Sequence, residues 1–470
     1  MSRRAIILLF LSLMFETSLT QSEDCNENTD CSAAHKDVFS SSTKEIPRVL
    51  KPGVREVYFV ESLIETIPNA AFVNAPSLKK LEFMTTNTTS VEPEAFEGLV
   101  NLTDIGISNT PLTSIPVGVF KDLRNLEKIA LKFNKLSRLD KGFFDGLRKV
   151  REVLLQGNEI HIIEDGTFDD LENLLLLHLA KNNLSAVSAD WFSNLNKLQI
   201  LRLYENQLST IPEDIFQNLP NLKEINLSGN KIAELSPNLF PHKDKLNKLF
   251  LDGNVLTQLP EGFFVGFTQL KTLTLHNNKL NSLPTVLFGN IDLTDLSLRQ
   301  NNLSTLPKGI VSPLKKLKKL DLSQNHFVTL NSEYFEGAEK LTTLKLVNNK
   351  ISFLDEDVFE KLPSLVTLDL TQNYLQTLPG NIFQPLPKLK KLYLDNNPWR
   401  CDCNLIDLHL WITTNSDKIV KPVLCEYPED LKGQEIKSLT EEQFICLTTI
   451  PPLITTTTTP TTTTPRKSSL

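Results

Sequence analysis

One spacing constrains this chain more than any other property: the frame L-x-x-L-x-L-x-x-N-x-L recurs every 24 residues. Its first positions fall at Val54, Leu78, Leu102, Leu126, Val150, Leu174, Leu198, Leu222, Leu246, Leu270, Leu293, Leu317, Leu341, Leu365 and Leu389, and only the step from Leu270 to Leu293 is 23 residues. Fifteen modules in one register imply a stack, because each module is too small to bury its own apolar face and must be covered by its neighbours. A chain of 470 residues would ordinarily divide into about three domains. Here the repeat joins most of the length into one body.

Each frame position has its own physical role. Apolar residues at positions 4 and 6, such as Leu201 and Leu203, alternate with polar ones, as a half-buried strand requires. Successive strands then lie side by side as a parallel sheet. Position 9 is Asn from Asn134 to Asn397 in twelve units, with Ser62, Thr86 and Thr110 in the first three. A carboxamide both donates and accepts, so stacked Asn side chains can satisfy the backbone where the chain turns inward. Position 19 is Phe in thirteen units, from Phe72 to Phe383, with Val311 as an exception. At that spacing the aromatic stripe reads as a packed spine on the back of the stack, where each favourable ring pair adds roughly 0.5–1.5 kcal/mol to burial. Pro at position 15, as in Pro68, Pro212 and Pro379, presets φ where no ladder hydrogen bond is needed.

The ends read differently. Arg3 and Arg4 precede an apolar run from Ala5 to Phe15, with small residues at Ser18 and Thr20. This pattern is that of a secretory signal peptide over residues 1–20, too short for a membrane span. An N-terminal cap is expected over 21–53, with Cys25 and Cys31 in one small-loop disulfide and loose order from Glu23 to Pro52. The repeats occupy 54–398, and a cysteine-rich cap occupies 399–447. Its four cysteines, Cys401, Cys403, Cys425 and Cys446, allow three disulfide connectivities. Zinc is the alternative, but a secreted chain favours disulfides. The Thr/Pro-rich tail, 448–470, reads as an O-glycosylated stalk, and with no apolar stretch after it no span or lipid anchor is expected.

Little in the sequence points to catalysis. Net charge is −7, from 49 basic and 56 acidic residues, which does not favour nucleic acid or an anionic membrane as partner. The cluster Lys315, Lys316, Lys318 and Lys319 reads as a solvated face. His161-Ile162-Ile163-Glu164 with His276 imitates an H-x-x-E…H zinc set. Five strand spacings, roughly 24 Å, separate the two histidines, whereas zinc ligands sit about 2 Å from the metal. No G-x-S-x-G elbow, phosphate loop or H-E-x-x-H is present, so neither an enzyme nor a cofactor is expected. Five N-x-S/T sequons, at Asn87, Asn101, Asn183, Asn226 and Asn302, suit a glycoprotein. Asn226 falls at position 5, where a glycan would obstruct the strand face.

The outward strand positions 2, 3, 5, 7 and 8 form the concave face, the usual recognition surface of a solenoid. Apolar residues gather there in units four to nine. The candidate contact residues are Phe133, Leu154, Leu176, His178, Ile200, Arg202, Tyr204 and Phe250, since exposed apolar clusters mark contact sites and aromatic or Arg anchors carry interface energy.

The repeat and the exit Asn397-Pro398-Trp399-Arg400-Cys401-Asp402-Cys403…Cys425…Cys446 resemble the extracellular leucine-rich-repeat family. That resemblance implies an α/β solenoid with a parallel sheet on its concave face, and pairs Cys401–Cys425 and Cys403–Cys446. The entry Val54-Arg55-Glu56-Val57-Tyr58-Phe59-Val60-Glu61-Ser62, the exit, and Leu431-Lys432-Gly433-Gln434 are similar to the group of non-catalytic carboxypeptidase N large subunits. Leucine-rich α-2-glycoproteins and β-type phospholipase A2 inhibitors are related. The resemblance, over about Val54 to Cys446, implies a secreted, glycosylated carrier that stabilises a carboxypeptidase catalytic subunit. The alternative is a free recognition or inhibitor module. The short N-cap and the Thr-rich ending depart from that group's pattern.

Overall fold

The computed structural model describes residues 35–446. The signal-peptide reading, Cys25, Cys31 and the Thr/Pro tail lie outside the described residues. The fifteen repeat strands stack in chain order into one parallel sheet, and residues at equal frame positions pair with each other, for example Leu177 with Leu201 and Leu201 with Ile225. The 23-residue step costs pairing only locally, where Thr274 opposite Ser297 is the sole register partner. Positions 1, 4 and 6 are buried throughout and merge into one continuous core. The result is a leucine-rich-repeat solenoid with its sheet on the concave side.

The Asn ladder forms as its chemistry requires. Asn182 Nδ2 donates to Leu179 O and Leu155 O, both at 3.0 Å, and Asn182 Oδ1 accepts from Ile160 N at 3.0 Å. The same bonds recur at Asn206, so each carboxamide ties two units together. In the first three units the smaller Ser and Thr side chains cannot span the same distance. Their strands run five residues (Glu56–Val60, Lys80–Met84, Asp104–Ser108), against three in the later units. The Phe spine is buried, and its rings stack mainly in pairs: Phe96 on Phe120, Phe144 on Phe168, Phe216 on Phe240 and Phe264 on Phe288, with centroids 5.3–5.9 Å apart. Phe143 and Phe263 bridge some of these pairs edge-on.

Two features differ from the sequence expectation. Loose order from Glu23 to Pro52 fails for Lys36–Phe39, which adds a sixteenth strand to the sheet by pairing with Glu56–Val60. Phe39, Phe59 and Phe83 stack at 5.1 and 4.6 Å across this edge, and the buried carboxylate of Asp37 is held by Lys51 Nζ at 2.6 Å. Apolar stacking and a paired charge therefore close this end. The α component is also narrower than the α/β description suggests: among the described residues the α-helix is Ile406–Thr414, in the C-terminal cap. The convex side is built of turns and short 3₁₀ segments, because few residues separate one strand from the next.

The C-terminal cap covers the last unit. Trp399 is fully buried and donates from Nε1 to Leu394 O at 2.9 Å. Disulfides join Cys401 to Cys425 and Cys403 to Cys446. Leu405, Leu408 and Ile412 bury against the core, Trp411 packs on Phe383, and Val420 N donates to Leu392 O at the sheet edge. The open end of the stack is thereby sealed.

Candidate protein-binding face

A backbone feature that the sequence reading missed shapes the concave face. Position 8 has φ between about 50° and 75° in all fifteen units: Gly157, Gly229 and Gly253 in three of them, side-chain-bearing residues in the rest. This left-handed residue turns the chain inward just before the Asn rung while its N–H still pairs with the next unit, as in Phe133 N to Gln156 O at 2.8 Å. Asn, Gln and Gly are frequent at position 8, and that enrichment was the available signal. Phe133 is the outlier, since bulky residues rarely adopt φ of 58°.

The position of the Phe133 ring follows from that backbone. It lies across Gly157 of the next unit, so closely that a Cβ there would come within 2.3 Å of the ring. Phe133 is 48% exposed, an aromatic held on the concave surface by a strained backbone and a glycine floor. Ala180, two units on from Phe133, is fully buried. Leu154, Ile200, Tyr204 and Phe250 are partly exposed.

The structure corrects two of the sequence-derived contact residues. Leu176 and His178 are each only 6% exposed, so neither offers a free surface. His178 sits between Leu154 and Arg202 on the flanking strands, and the Tyr204 ring meets it edge-on at 5.6 Å. Side chains converge on the inner side of the sheet and cover one another, which periodicity alone does not reveal. Burial, reinforced by the nearby Arg202 and Lys132 charges, pushes the His178 pKa down to about 3, so the ring is neutral. Its Nδ1 and the Oε1 of Gln156 are buried with no hydrogen-bond partner among the described residues. Arg202 is not an independent anchor either. Its Nε pairs with Glu224 Oε1 at 2.8 Å, and Glu224 also holds Lys248 at 3.2 Å.

Further toward the N-terminus the face turns polar. Tyr58 donates to Glu56 at 2.7 Å. The Glu82 carboxyl folds over Gly106 into the space a side chain would fill. Burial raises its pKa, while Lys80, 3.7 Å away, and Lys132 act in the opposite direction.

Asn87, Asn101, Asn183 and Asn302 are exposed. Asn101 already donates from Nδ2 to Pro76 O, and Asn125, Asn173 and Asn221 repeat that bond in their own units, a second Asn ladder absent from the sequence reading. Asn226 lies on the concave strand face, partly buried, with Oδ1 accepting from Ser228 N and Oγ. His161 and His276 have separate local partners, Glu159 O and Asp252, and no cluster of three metal-binding side chains occurs among the described residues.

The comparisons with known proteins agree with this geometry. The Leucine rich repeat family pattern matches at residues 100–160, 148–208, 197–256, 244–292, 291–351 and 339–398. Mouse leucine-rich repeat-containing protein 19 is 43% identical over 49 residues, 10% of this chain and 14% of that protein. Human carboxypeptidase N subunit 2 is 39% identical over 59 residues, 12% of this chain and 11% of that protein. The matched stretches thus span less than a sixth of either relative. The solved Drosophila Toll–Spatzle complex superposes with a TM-score of 0.61 at 20% identity, covering 84% of this chain and 68% of that one, a likeness of fold alone. With repeat signatures spanning 100–398 on a continuous parallel sheet, the chain belongs to the leucine-rich-repeat family.

Proposed function

We propose that this protein is a secreted, non-catalytic binding glycoprotein whose concave face in units four to nine holds a protein partner. The observation that carries this reading is Phe133: an exposed aromatic kept in a left-handed backbone over Gly157, on the same concave face as the partly exposed Leu154, Ile200 and Tyr204. The left-handed backbone is shared by position 8 of every unit; what sets Phe133 apart is a bulky, exposed aromatic at a position otherwise rich in Asn, Gln and Gly. Aromatic anchors beside apolar side chains are the usual energetic centre of an interface.

Within that reading, the partner is the catalytic subunit of a secreted carboxypeptidase, which this chain carries and stabilises. Its support is the likeness of the flanks to carboxypeptidase N large subunits and the short match to the human one. The second reading is a free recognition or inhibitor module. It draws on Asn226, where a glycan would narrow the face available to a large partner.

Affinity purification of the full chain from secretory fluid separates the two. Recovery of a carboxypeptidase acting on C-terminal basic residues, lost in the double variant Leu154→Asp/Tyr204→Ala, supports the carrier. Unchanged recovery in that variant would remove the concave face from the account. Mass-spectrometric mapping of Asn226 decides whether a glycan stands in the way.

A further inference from the structure

The strongest unassigned feature is a lane of positive charge along one edge of the solenoid. It consists of position 2 of each unit and the residue just before position 1, which flank the N-terminal ends of the strands. Position 2 carries Arg151, Lys223, Lys271, Lys318 and Lys390 in units five to fifteen, after Arg55 and Lys79 in units one and two. The residue before position 1 carries Lys149, Lys197, Lys245, Lys316, Lys340 and Lys388. These thirteen cations face two anions in the same positions, Glu127 and Asp292, in a chain whose net charge is −7. All thirteen are exposed. On the opposite edge, positions 7 and 8 carry three cations and four anions.

The pairing pattern separates this lane from an ordinary charged surface. At the adjacent position 3, charges neutralise one another between strands: Lys36 with Glu56, Lys128 with Glu152, Lys248 with Glu224 and Lys319 with Asp295. In the lane, Lys316 pairs with Asp292, and none of the other twelve cations has a carboxylate within ion-pair distance among the described residues. Several are instead steered by neutral partners: Lys149 Nζ to Asn125 Oδ1 at 2.7 Å, Lys197 Nζ to Asn173 Oδ1 at 2.6 Å and Lys223 Nζ to Gln199 Oε1 at 3.1 Å. Those bonds orient the ammonium groups without cancelling their charge. From unit five to unit fifteen, eleven cations spread over roughly 48 Å of stacked strands. Their mean spacing is below the Debye length of about 8 Å at physiological ionic strength, so their potentials add.

We propose that this edge binds a linear sulfated polysaccharide. The lane is long, narrow and continuous, which matches an extended polyanion with charge along its whole length. Eleven of its thirteen cations are Lys, point charges suited to sulfate without the forked geometry of guanidinium. No aromatic residue occupies either lane position in any unit, so the stacking platform that single-stranded nucleic acid uses is missing. The cap disulfides suit an oxidising compartment, where sulfated polysaccharide is the abundant polyanion. The Lys316 and Lys318 pair, which the sequence leaves as a solvated face, is one of three rungs with two cations, beside Lys149 with Arg151 and Lys388 with Lys390. The site is separate from the apolar concave centre, and the two can be tested apart.

The test is surface plasmon resonance of the full chain on immobilised heparin across a salt series. Wild type is expected to bind at physiological salt with log K falling as log salt rises, as counterion release demands. The variant Arg151→Gln/Lys271→Gln/Lys318→Gln/Lys390→Gln is expected to bind about tenfold or more weakly with a shallower salt slope. The charge-matched control Lys135→Gln/Lys231→Gln/Lys279→Gln/Lys350→Gln, at position 10 just beyond the Asn rungs and away from the lane, should stay within about twofold of wild type, and the lesser variant Lys318→Gln/Lys390→Gln should fall between. Unchanged melting midpoints tie the loss to charge. Leu154→Asp/Tyr204→Ala should leave heparin binding intact, which keeps this proposal independent of the concave-face reading. No wild-type binding, equal loss in lane and control variants, equal binding of desulfated heparin, or equally tight binding of a single-stranded oligonucleotide would each overturn it.

Discussion

Asn206→Ala tests the physical account of the stack most directly. The Asn206 side chain is buried, its Nδ2 donates to Leu179 O and Leu203 O at 3.0 Å, and its Oδ1 accepts from Leu184 N at 3.1 Å. Truncation to Ala removes three bonds and leaves the Leu184 N–H unpaired in the interior, while Leu179 O and Leu203 O each keep one donor, Asn182 Nδ2 and Asn230 Nδ2. A buried polar group left without a partner costs about 1–3 kcal/mol. The orphaned N–H, with two lost carbonyl bonds at about 0.5–1.5 kcal/mol each, sets the expected loss at about 2–5 kcal/mol. Asn221→Ala is the internal control: its Nδ2 donates to Asn196 O at 2.8 Å on the exposed edge, where water replaces the lost bond, and the cost should stay below about 1 kcal/mol. Urea unfolding followed by far-UV circular dichroism reads the difference. Because each unit contacts only its neighbours, hydrogen exchange should quicken in units six to eight and leave the ends unchanged. Equal costs for the two variants, or faster exchange spread evenly along the chain, would refute the ladder as a local source of stability.

Three further outcomes follow from particular contacts. Gly157→Ala places a Cβ against the Phe133 ring at a φ of 73°, so it should cost about 1–2 kcal/mol and displace the ring, lowering partner affinity in a binding assay while the fold survives. Reducing Cys401–Cys425 reopens a 24-residue loop and should destabilise the C-terminal cap by about 3 kcal/mol, read as a lower melting midpoint with reductant and a protease-sensitive cap. His178 titrates near 3 in the folded chain but near its ordinary 6.5 when unfolded, so the unfolded state binds the extra proton between those values. Stability should therefore fall as pH drops from about 6.5 toward 3, by at most about 1.4 kcal/mol per pH unit from this group. His178→Gln should flatten that part of the pH profile in denaturation experiments, and an unchanged slope would contradict the neutral, desolvated ring.

The repeat frame alone determined most of the architecture. A strand side chain points either into the core or out of it, so Leu at positions 4 and 6, Asn at position 9 and Phe at position 19 assign their own sides once the period is known. The zinc-like His161, Glu164 and His276 set could be dismissed from register for the same reason. Other features depended on how far apart neighbouring units sit, which no single repeat encodes. Leu176 and His178 carry outward-facing positions yet are buried, because side chains from adjacent strands close over them on the inner side of the sheet. Lys36–Phe39 lies outside the repeat frame and becomes a strand because the first unit presents an open edge and the stacked rings of Phe59 and Phe83. Phe133 gains its meaning from Gly157 in the following unit, 24 residues on. The lane cations were visible as scattered lysines, but whether each meets a carboxylate is set by lateral distance between strands. Sequence period decides which way a side chain faces; the packing of one unit on the next decides what it meets there.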